Sequence, residues 1–370
     1  MTKHVAMGLM SGTSMDGVDI AIIETDGETV WRRRAGVTMS YPQDIRRSIS
    51  SAIADAAQVS DRRERPGCLG HVERILTEFH GRAVLEFARA TALDLNTVDV
   101  IGFHGQTVLH RPEAALTLQL GDGHELARTL GRPVAFDLRA ADVEAGGQGA
   151  PLAPIYHRAL VSDLVERPIA VLNIGGVANV TWIGAGDDDL VAFDTGPGNA
   201  LLDDWMAKTV GASRDEGGAA ALAGIADMRA VAFFLGDAFF ANPPPKSLDR
   251  NAFFWDMITG LSVADGAATL VAMTVGAVAR AVDHMPSPPK RWIVAGGGRH
   301  NRAMMQGLTE TLGVAVEMAE AIGFDGDTIE AEAWAYISVR AKRGLPISYP
   351  GTTGAPHPMT GGVIARPDGA

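Results

Sequence analysis

Met10-Ser11-Gly12-Thr13-Ser14-Met15-Asp16-Gly17-Val18-Asp19 is the stretch on which the reading of the fold turns. An apolar run over residues 5–9 leads into it, and an alternating run over 18–24 leads out. That pattern predicts strand, tight polar turn, strand. Gly12 and Gly17 permit positive φ and let a ligand approach the backbone. Ser11, Thr13 and Ser14 add hydroxyls, and consecutive turn amides can form an anion-binding nest. Asp16 and Asp19 repel a bare anion, so they call for a metal ion or a positioned water between. Anion donors beside carboxylates point to a nucleotide-phosphate and Mg²⁺ site. The alternative is a polar β-hairpin with no ligand.

Working outward, a third strand is expected over 29–34 after the turn at 25–28. The layout then returns at residue 169. Strands are expected over 169–174, 177–183 and 190–194, joined by turns at Gly175-Gly176 and 184–189, with a helix starting at Ala200. Two lobes of similar α/β fold follow, with a seam near 150–168 and a ligand cleft between them. Lobe I is expected over 1–160, with the tail 345–370 packing back on it, and lobe II over 161–345. The 370 residues are ample for two domains.

Composition narrows the function. Hydrophobic residues make up 46% and charged residues 21%, ordinary for a globular enzyme. A formal charge of −12 argues against nonspecific nucleic-acid binding, which needs a basic face. The single cysteine, Cys68, allows neither an intramolecular disulfide nor a thiolate metal cluster. No secretory signal pattern is visible, and no apolar run approaches the ~20 residues of a membrane helix. The expected location is the cytoplasm, away from membranes, with small molecules as partners; a homodimer is compatible with this reading.

Candidate chemistry clusters where strands run out into polar loops. A strand over 98–103 ends at His104-Gly105-Gln106-Thr107, and one over 131–139 has a charged exit at Asp137 and Arg139. Open α/β sheets place ligand groups at such ends. Gly146-Gly147-Gln148-Gly149-Ala150-Pro151 reads equally as a linker or a substrate loop. Asp194-Thr195-Gly196-Pro197-Gly198-Asn199 sets a carboxylate at a strand end before a Gly-rich turn and a helix. There Asp194 is either a general base or a turn-capping residue. Gly296-Gly297-Gly298, between a strand over 291–295 and a helix from 302, gives a flat ligand access to the backbone. Helices are also expected over 72–90, 265–283 and 329–342. Lys246, after a triple proline, reads as a phosphate contact or a solvated loop residue.

Taken together, these strings resemble the anhydro-N-acetylmuramic acid kinases of bacterial cell-wall recycling. The resemblance runs nearly end to end. It is carried by residues 10–19, 102–110, 146–151, 172–179, 193–199, Lys246-Ser247, 295–298 and Thr353-Gly354 in that order. It implies the actin-like ATPase and sugar-kinase fold, with duplicated βββαβα cores. ATP phosphates are expected at Ser11, Gly12, Thr13, Ser14, Met15, Asp16, Gly17, Val18 and Asp19. The resemblance also implies nucleotide contacts at Gly175, Gly176, Thr195, Gly196, Gly198 and Asn199, with adenosine near Gly296, Gly297 and Gly298. Mg²⁺ would face Asp16 or Asp19. Asp194 would deprotonate a water that opens the 1,6-anhydro bridge while the freed 6-oxygen attacks the γ-phosphate. His104, Gln106, Thr107, Arg139 and Gln148 are candidates for the sugar side, Arg139 for the lactyl carboxylate. One departure stands out: where the family continues after Lys-Ser with a Gly, Arg and Glu, this chain has Leu248, Asp249, Arg250 and Asn251, so the Arg survives as Arg250 and any role of the Glu is lost. Competing readings are an ordinary hydroxyl kinase acting on another sugar, and a non-catalytic nucleotide switch.

Overall fold

The computed structural model describes residues 2–12, 15–186, 188–250 and 252–368. The chain divides into two compact units, Met1–Asp163 with Thr328–Ala370, and Leu164–Asp327. This differs from the expected lobe II of 161–345. The chain returns to the first unit at Thr328, so the helix Ile329–Arg343 belongs there with the tail.

In the first unit, β1 (His4–Met10) and β2 (Gly17–Thr25) form the expected hairpin, with Met10 opposite Asp19. β3 (Val30–Ser40) runs six residues beyond its expected end, absorbing two register shifts against β2. β4 (Val100–Phe103) lies parallel to β1 on its other side. β5 (Gln106–Arg111) and β6 (Leu116–Leu120) form a separate two-stranded ribbon. The strand expected over 131–139 is only β7 (Val134–Phe136). Asp137 takes φ +56° and breaks it, turning Arg139 out to start a short helix.

The second unit repeats the plan with β8 (Ile169–Ile174), β9 (Val177–Ile183), β10 (Leu190–Pro197), β11 (Arg291–Ala295) and β12 (Ala315–Met318). Its order is β10-β9-β8-β11-β12. The first sheet reads β3-β2-β1-β4-β7, extended by β13 (Val363–Ala365), which pairs antiparallel with β7. Each unit thus has an antiparallel trio followed by two parallel strands. This is the duplicated actin-like ATPase and sugar-kinase architecture that the resemblance implies.

Burial explains the layers. The helix Leu69–Ala90 presents Leu69, Val72, Leu76, Ala83, Val84 and Phe87 to the first core, at the 3.6-residue spacing visible in the sequence. The helix Ile329–Arg343 covers the opposite face at very short range. A Cβ at Gly8 would stand 1.8 Å from the Ala331 carbonyl oxygen, and one at Gly102 would stand 2.1 Å from that of Trp334. In the second unit, Val263–Ala281 is apolar all round because it is buried among neighbours. With its short extension to His284 it is long and apolar enough, by length and composition, to cross a bilayer. That corrects the reading that no such segment exists, but its Leu270, Met273, Ala277 and Val278 are spent on the core.

Candidate functional site

In the first unit β1, β3, β4 and β7 all run towards one edge of the sheet, and the polar loops emerge there. Ser11, the first residue after β1, is almost fully buried. Its Oγ donates to Gln106 Oε1 at 2.6 Å and lies 2.9 Å from the Tyr41 hydroxyl. Gln106 Nε2 donates to the Gly12 carbonyl at 3.1 Å. His104 Nδ1 is 2.9 Å from the Ser11 carbonyl oxygen, which only accepts, so this nitrogen carries the proton. His104 Nε2 is then the acceptor for Arg139, at 3.3 Å from Nε and 3.2 Å from Nη2. Burial, reinforced by the Arg139 charge, pushes the His104 pKa down to about 3, so a neutral imidazole is built in.

Arg139 is held on three sides. Nη1 donates to the Gly149 carbonyl at 2.7 Å, and the guanidinium lies over the Trp334 ring, 5.2 Å from its centroid. Trp334 also packs against the His104 ring at 4.9 Å. Burial lowers the Arg139 pKa to about 10, which leaves it charged at neutral pH.

The turn itself is partly described; Thr13 and Ser14 lie outside the described residues. Met15 takes φ +54°, and the exposed Asp16 offers its carbonyl to the Tyr41 N–H at 2.9 Å and to Arg46 at 3.0 Å. Gly17 is required by packing, since a Cβ there would stand 2.5 Å from the Met39 carbonyl oxygen. Val18 is buried in the core and offers a ligand only its backbone. Asp19 Oδ1 accepts from the Thr38 hydroxyl at 2.6 Å.

Thr107 sits on the ribbon, where its hydroxyl meets Gln119 Nε2 at 3.3 Å. The Gly146–Pro151 segment is no free linker. The Gln148 N–H donates to the Thr353 carbonyl at 2.6 Å. Buried Asp142 accepts from the Gly149 N–H at 2.6 Å, from the Thr353 hydroxyl at 2.6 Å and from the Ser348 hydroxyl. Tyr41, Asp142 and Trp334 carry no local sequence signal for these roles, because each acts on residues far away in the chain.

In the second unit, the ends of β8, β10 and β11 share one edge. Asp194 sits at the β10 bulge, where the register shifts before Gly196. Its Oδ2 accepts the Leu248 N–H at 2.7 Å, and its own N–H donates to the Lys246 carbonyl at 3.1 Å. Burial raises the Asp194 pKa to about 6, the Leu248 bond opposing it. The 243–250 segment therefore buttresses Asp194 through its backbone, contacts that do not depend on the side chain at Leu248; Asn251 lies outside the described residues. The Lys246 ammonium donates to the Phe239 carbonyl at 3.0 Å and lies over that ring.

The glycine turns lock together. The N–H groups of Gly198 and Asn199 donate to the carbonyls of Gly176 and Gly175, at 2.9 and 2.8 Å. A Cβ at Gly198 would stand 2.3 Å from the Gly175 carbonyl oxygen. The Thr195 hydroxyl donates to the Ala178 carbonyl at 3.2 Å, and Gly196 packs against Ala277. Gly296 and Gly298 lie against Asn173 and Ile174, where a Cβ would come within 2.4 Å, and Gly297 faces Asn199 Nδ2. Arg299 anchors this last loop: Nη1 donates to the Gly296 carbonyl at 2.9 Å and to Asp327 at 2.8 Å, and Nε to Glu320 at 2.8 Å. Arg250 adds a cation beside Gly176, paired with Asp204 at 3.3 Å.

Among the described residues no group of three or more His, Cys, Asp or Glu could hold a metal ion alone. That donor set suits Mg²⁺ delivered on a nucleotide, which needs only one or two carboxylates and keeps several waters. Asp16, exposed on the turn, and Asp19, with one oxygen on Thr38, fit that requirement.

A family model described as anhydro-N-acetylmuramic acid kinase matches residues 4–367. The kinase of that name from Rhodospirillum rubrum is 53% identical over 363 residues, spanning 97% of this chain and 93% of the relative. That from Methylobacterium nodulans is 52% identical over 373 residues, spanning 98% of this chain and all of the relative. That from Rhizorhabdus wittichii is 50% identical over 367 residues, spanning 99% of this chain and all of the relative. On this match, extending over almost every residue of the two sheets and both glycine-lined edges, the chain belongs to the anhydro-N-acetylmuramic acid kinase family.

Proposed function

We propose that the chain uses ATP to convert 1,6-anhydro-N-acetylmuramic acid into N-acetylmuramic acid 6-phosphate and ADP, in cytoplasmic recycling of cell-wall sugars. One observation carries the mechanistic part: Asp194, raised to about 6 by burial, is held by the Leu248 N–H beside interlocked glycine turns. A carboxylate of that basicity is ionised at neutral pH and still a competent proton acceptor.

In the reaction, Asp194 takes a proton from water as the water oxygen bonds to the anomeric carbon. The bond from that carbon to the bridging oxygen breaks, and the freed 6-oxygen attacks the γ-phosphorus as the bond to the β-phosphate oxygen breaks. The backbone of the 11–19 turn cradles phosphate, and the Gly175-Gly176, Gly198-Asn199 and Gly296–Gly298 loops receive the rest of the nucleotide. Asp16 and Asp19 would hold Mg²⁺, directly or through its waters, and the ion would supply charge screening at the phosphates. Neutral His104 accepts from Arg139 at Nε2 and so holds that guanidinium, which keeps N–H groups to spare for the sugar; Gln106, Thr107 and Gln148 line the same side.

Turnover in water enriched in heavy oxygen tests this directly. Label at the anomeric hydroxyl, measured before mutarotation exchanges it, is the expected result. A phosphorylated product without label would replace ring opening by simple transfer to a free hydroxyl.

A further inference from the structure

The 243–250 segment meets β10 through two bonds to Asp194. The Lys246 carbonyl accepts the Asp194 N–H at 3.1 Å, and the Leu248 N–H donates to Asp194 Oδ2 at 2.7 Å. Such bonds orient a carboxylate only if the segment itself is held, and residues 243–250 form neither helix nor strand. Two side chains are placed to hold it. Arg250 pairs with Asp204 at 3.3 Å, but both are more than half exposed, and a pair so placed contributes little. Lys246 is half-buried and turned inwards.

The Lys246 ammonium donates to the Phe239 carbonyl at 3.0 Å and lies 4.8 Å from the Phe239 ring centroid and 5.7 Å from that of Phe193. Phe193 immediately precedes Asp194 on β10 and is buried in the second core. Phe239 lies on the short helix Ala238–Ala241 and meets the rings of Phe240 and Phe253 at 5.5 and 6.0 Å. Burial lowers the Lys246 pKa, and among the described residues no charged group adds to that shift. A cation over a ring gains strength as water is removed. A lysine kept for phosphate would turn its ammonium to an open edge; this one spends it on a carbonyl and two ring faces. We propose that Lys246 is a positioning residue for Asp194: its ammonium, anchored on Phe193 and Phe239, fixes the loop whose Leu248 N–H orients the carboxylate, and it takes no part in holding phosphate. The catalytic half of this assignment rests on the reading of Asp194 as the base; the positional half does not.

The test pairs two readouts on the full chain. Lys246→Met keeps an unbranched stem against the rings without charge or donor, and Lys246→Arg keeps both. Hydrogen exchange at the Leu248 amide, followed by nuclear magnetic resonance without ligands, reads the positional half. It is expected to quicken roughly 5- to 30-fold in Lys246→Met, the factor for losing a desolvated cation–ring contact, and to return towards wild type in Lys246→Arg. Phe239→Leu, which removes a ring and leaves the ammonium, is expected to quicken it too. Phosphorylation of 1,6-anhydro-N-acetylmuramic acid reads the catalytic half. In Lys246→Met kcat falls by a similar factor, KM for Mg-ATP and for sugar stay unchanged, and Lys246→Arg rescues. Unchanged exchange at Leu248 overturns the assignment. So does a raised KM for Mg-ATP with kcat intact, which returns Lys246 to the phosphates, or a normal kcat in Lys246→Met while Asp194→Asn is disabled. A wild type that leaves the anhydro-sugar unphosphorylated, with the exchange difference present, sinks the kinase reading and leaves the positional half standing.

Discussion

Gly8 and Gly102 stand opposite each other across β1 and β4, and the helix Ile329–Arg343 lies directly on both. The helix backbone comes close enough that a single methyl group at either position meets a carbonyl oxygen. Gly102→Ala would place its Cβ 2.1 Å from the Trp334 carbonyl oxygen, where neither side yields cheaply. The expected cost is about 1–3 kcal/mol, read as a drop of several degrees in Tm. Gly70→Ala, whose Cβ meets nothing nearer than 3.8 Å, is the matched control and is expected not to destabilise.

Asp194→Asn removes the proposed base while keeping an oxygen for the Leu248 N–H. Turnover is expected to fall roughly 10²–10⁴-fold, with ATP and sugar affinities retained. A variant turning over at near wild-type rate would remove Asp194 from the chemistry. The pH dependence follows from the raised pKa. In the wild type, kcat/KM should rise with pH through about 6 as the carboxylate ionises. The same shift costs stability. Ionising Asp194 is harder folded than unfolded, so its stabilising contribution is full below the ordinary Asp range and is lost as pH rises through about 6. The Tm advantage of Asp194→Asn over wild type should therefore be largest above pH 6 and fade on acidification.

Asp19→Ala separates the two ligands. Asp19 lies on β2 just after the 11–16 turn, one oxygen on Thr38. The variant is expected to raise KM for Mg-ATP about tenfold or more, as loss of one charged contact would, and to leave sugar affinity nearly intact. If sugar affinity alone collapses, the turn serves the other ligand.

Arg299→Met cuts the tie between the Gly296 loop and the 320–327 segment. The guanidinium is buried, but Glu320 and Asp327 are 40% and 70% exposed, so both carboxylates regain water. The expected stability loss is therefore about 1–3 kcal/mol, below that for breaking a fully buried pair. KM for ATP should rise more than KM for sugar; equal changes in both would make Arg299 merely structural.

Much of this was readable beforehand because local pattern determines it. Alternation at 18–24 and 177–183, and the polar turns beside them, yielded the duplicated strand trios. Most of what was not readable is information held by distant partners. The spacing of Ile329–Arg343 says that the helix is buried but not against what; Gly8 and Gly102 supply that answer only once β1 and β4 are paired. Asp137 cuts β7 short through a single left-handed residue. Gly296 and Gly298 also pack against Asn173 and Ile174, a demand that the local glycine run does not reveal. Asp194 was legible as a strand-end carboxylate, whereas its Leu248 support lies 54 residues downstream.

Because Leu164–Asp327 is inserted within the sequence of the first unit, synthesis imposes a schedule on folding. Translation at about 5–20 residues per second holds the helix Ile329–Arg343 back for tens of seconds after β1 and β4 have emerged. The second unit is synthesised during that interval and is complete only as the helix itself begins to follow. The first sheet meanwhile waits with the Gly8–Gly102 face bare, so it is the nascent chain's moment of greatest exposure to aggregation.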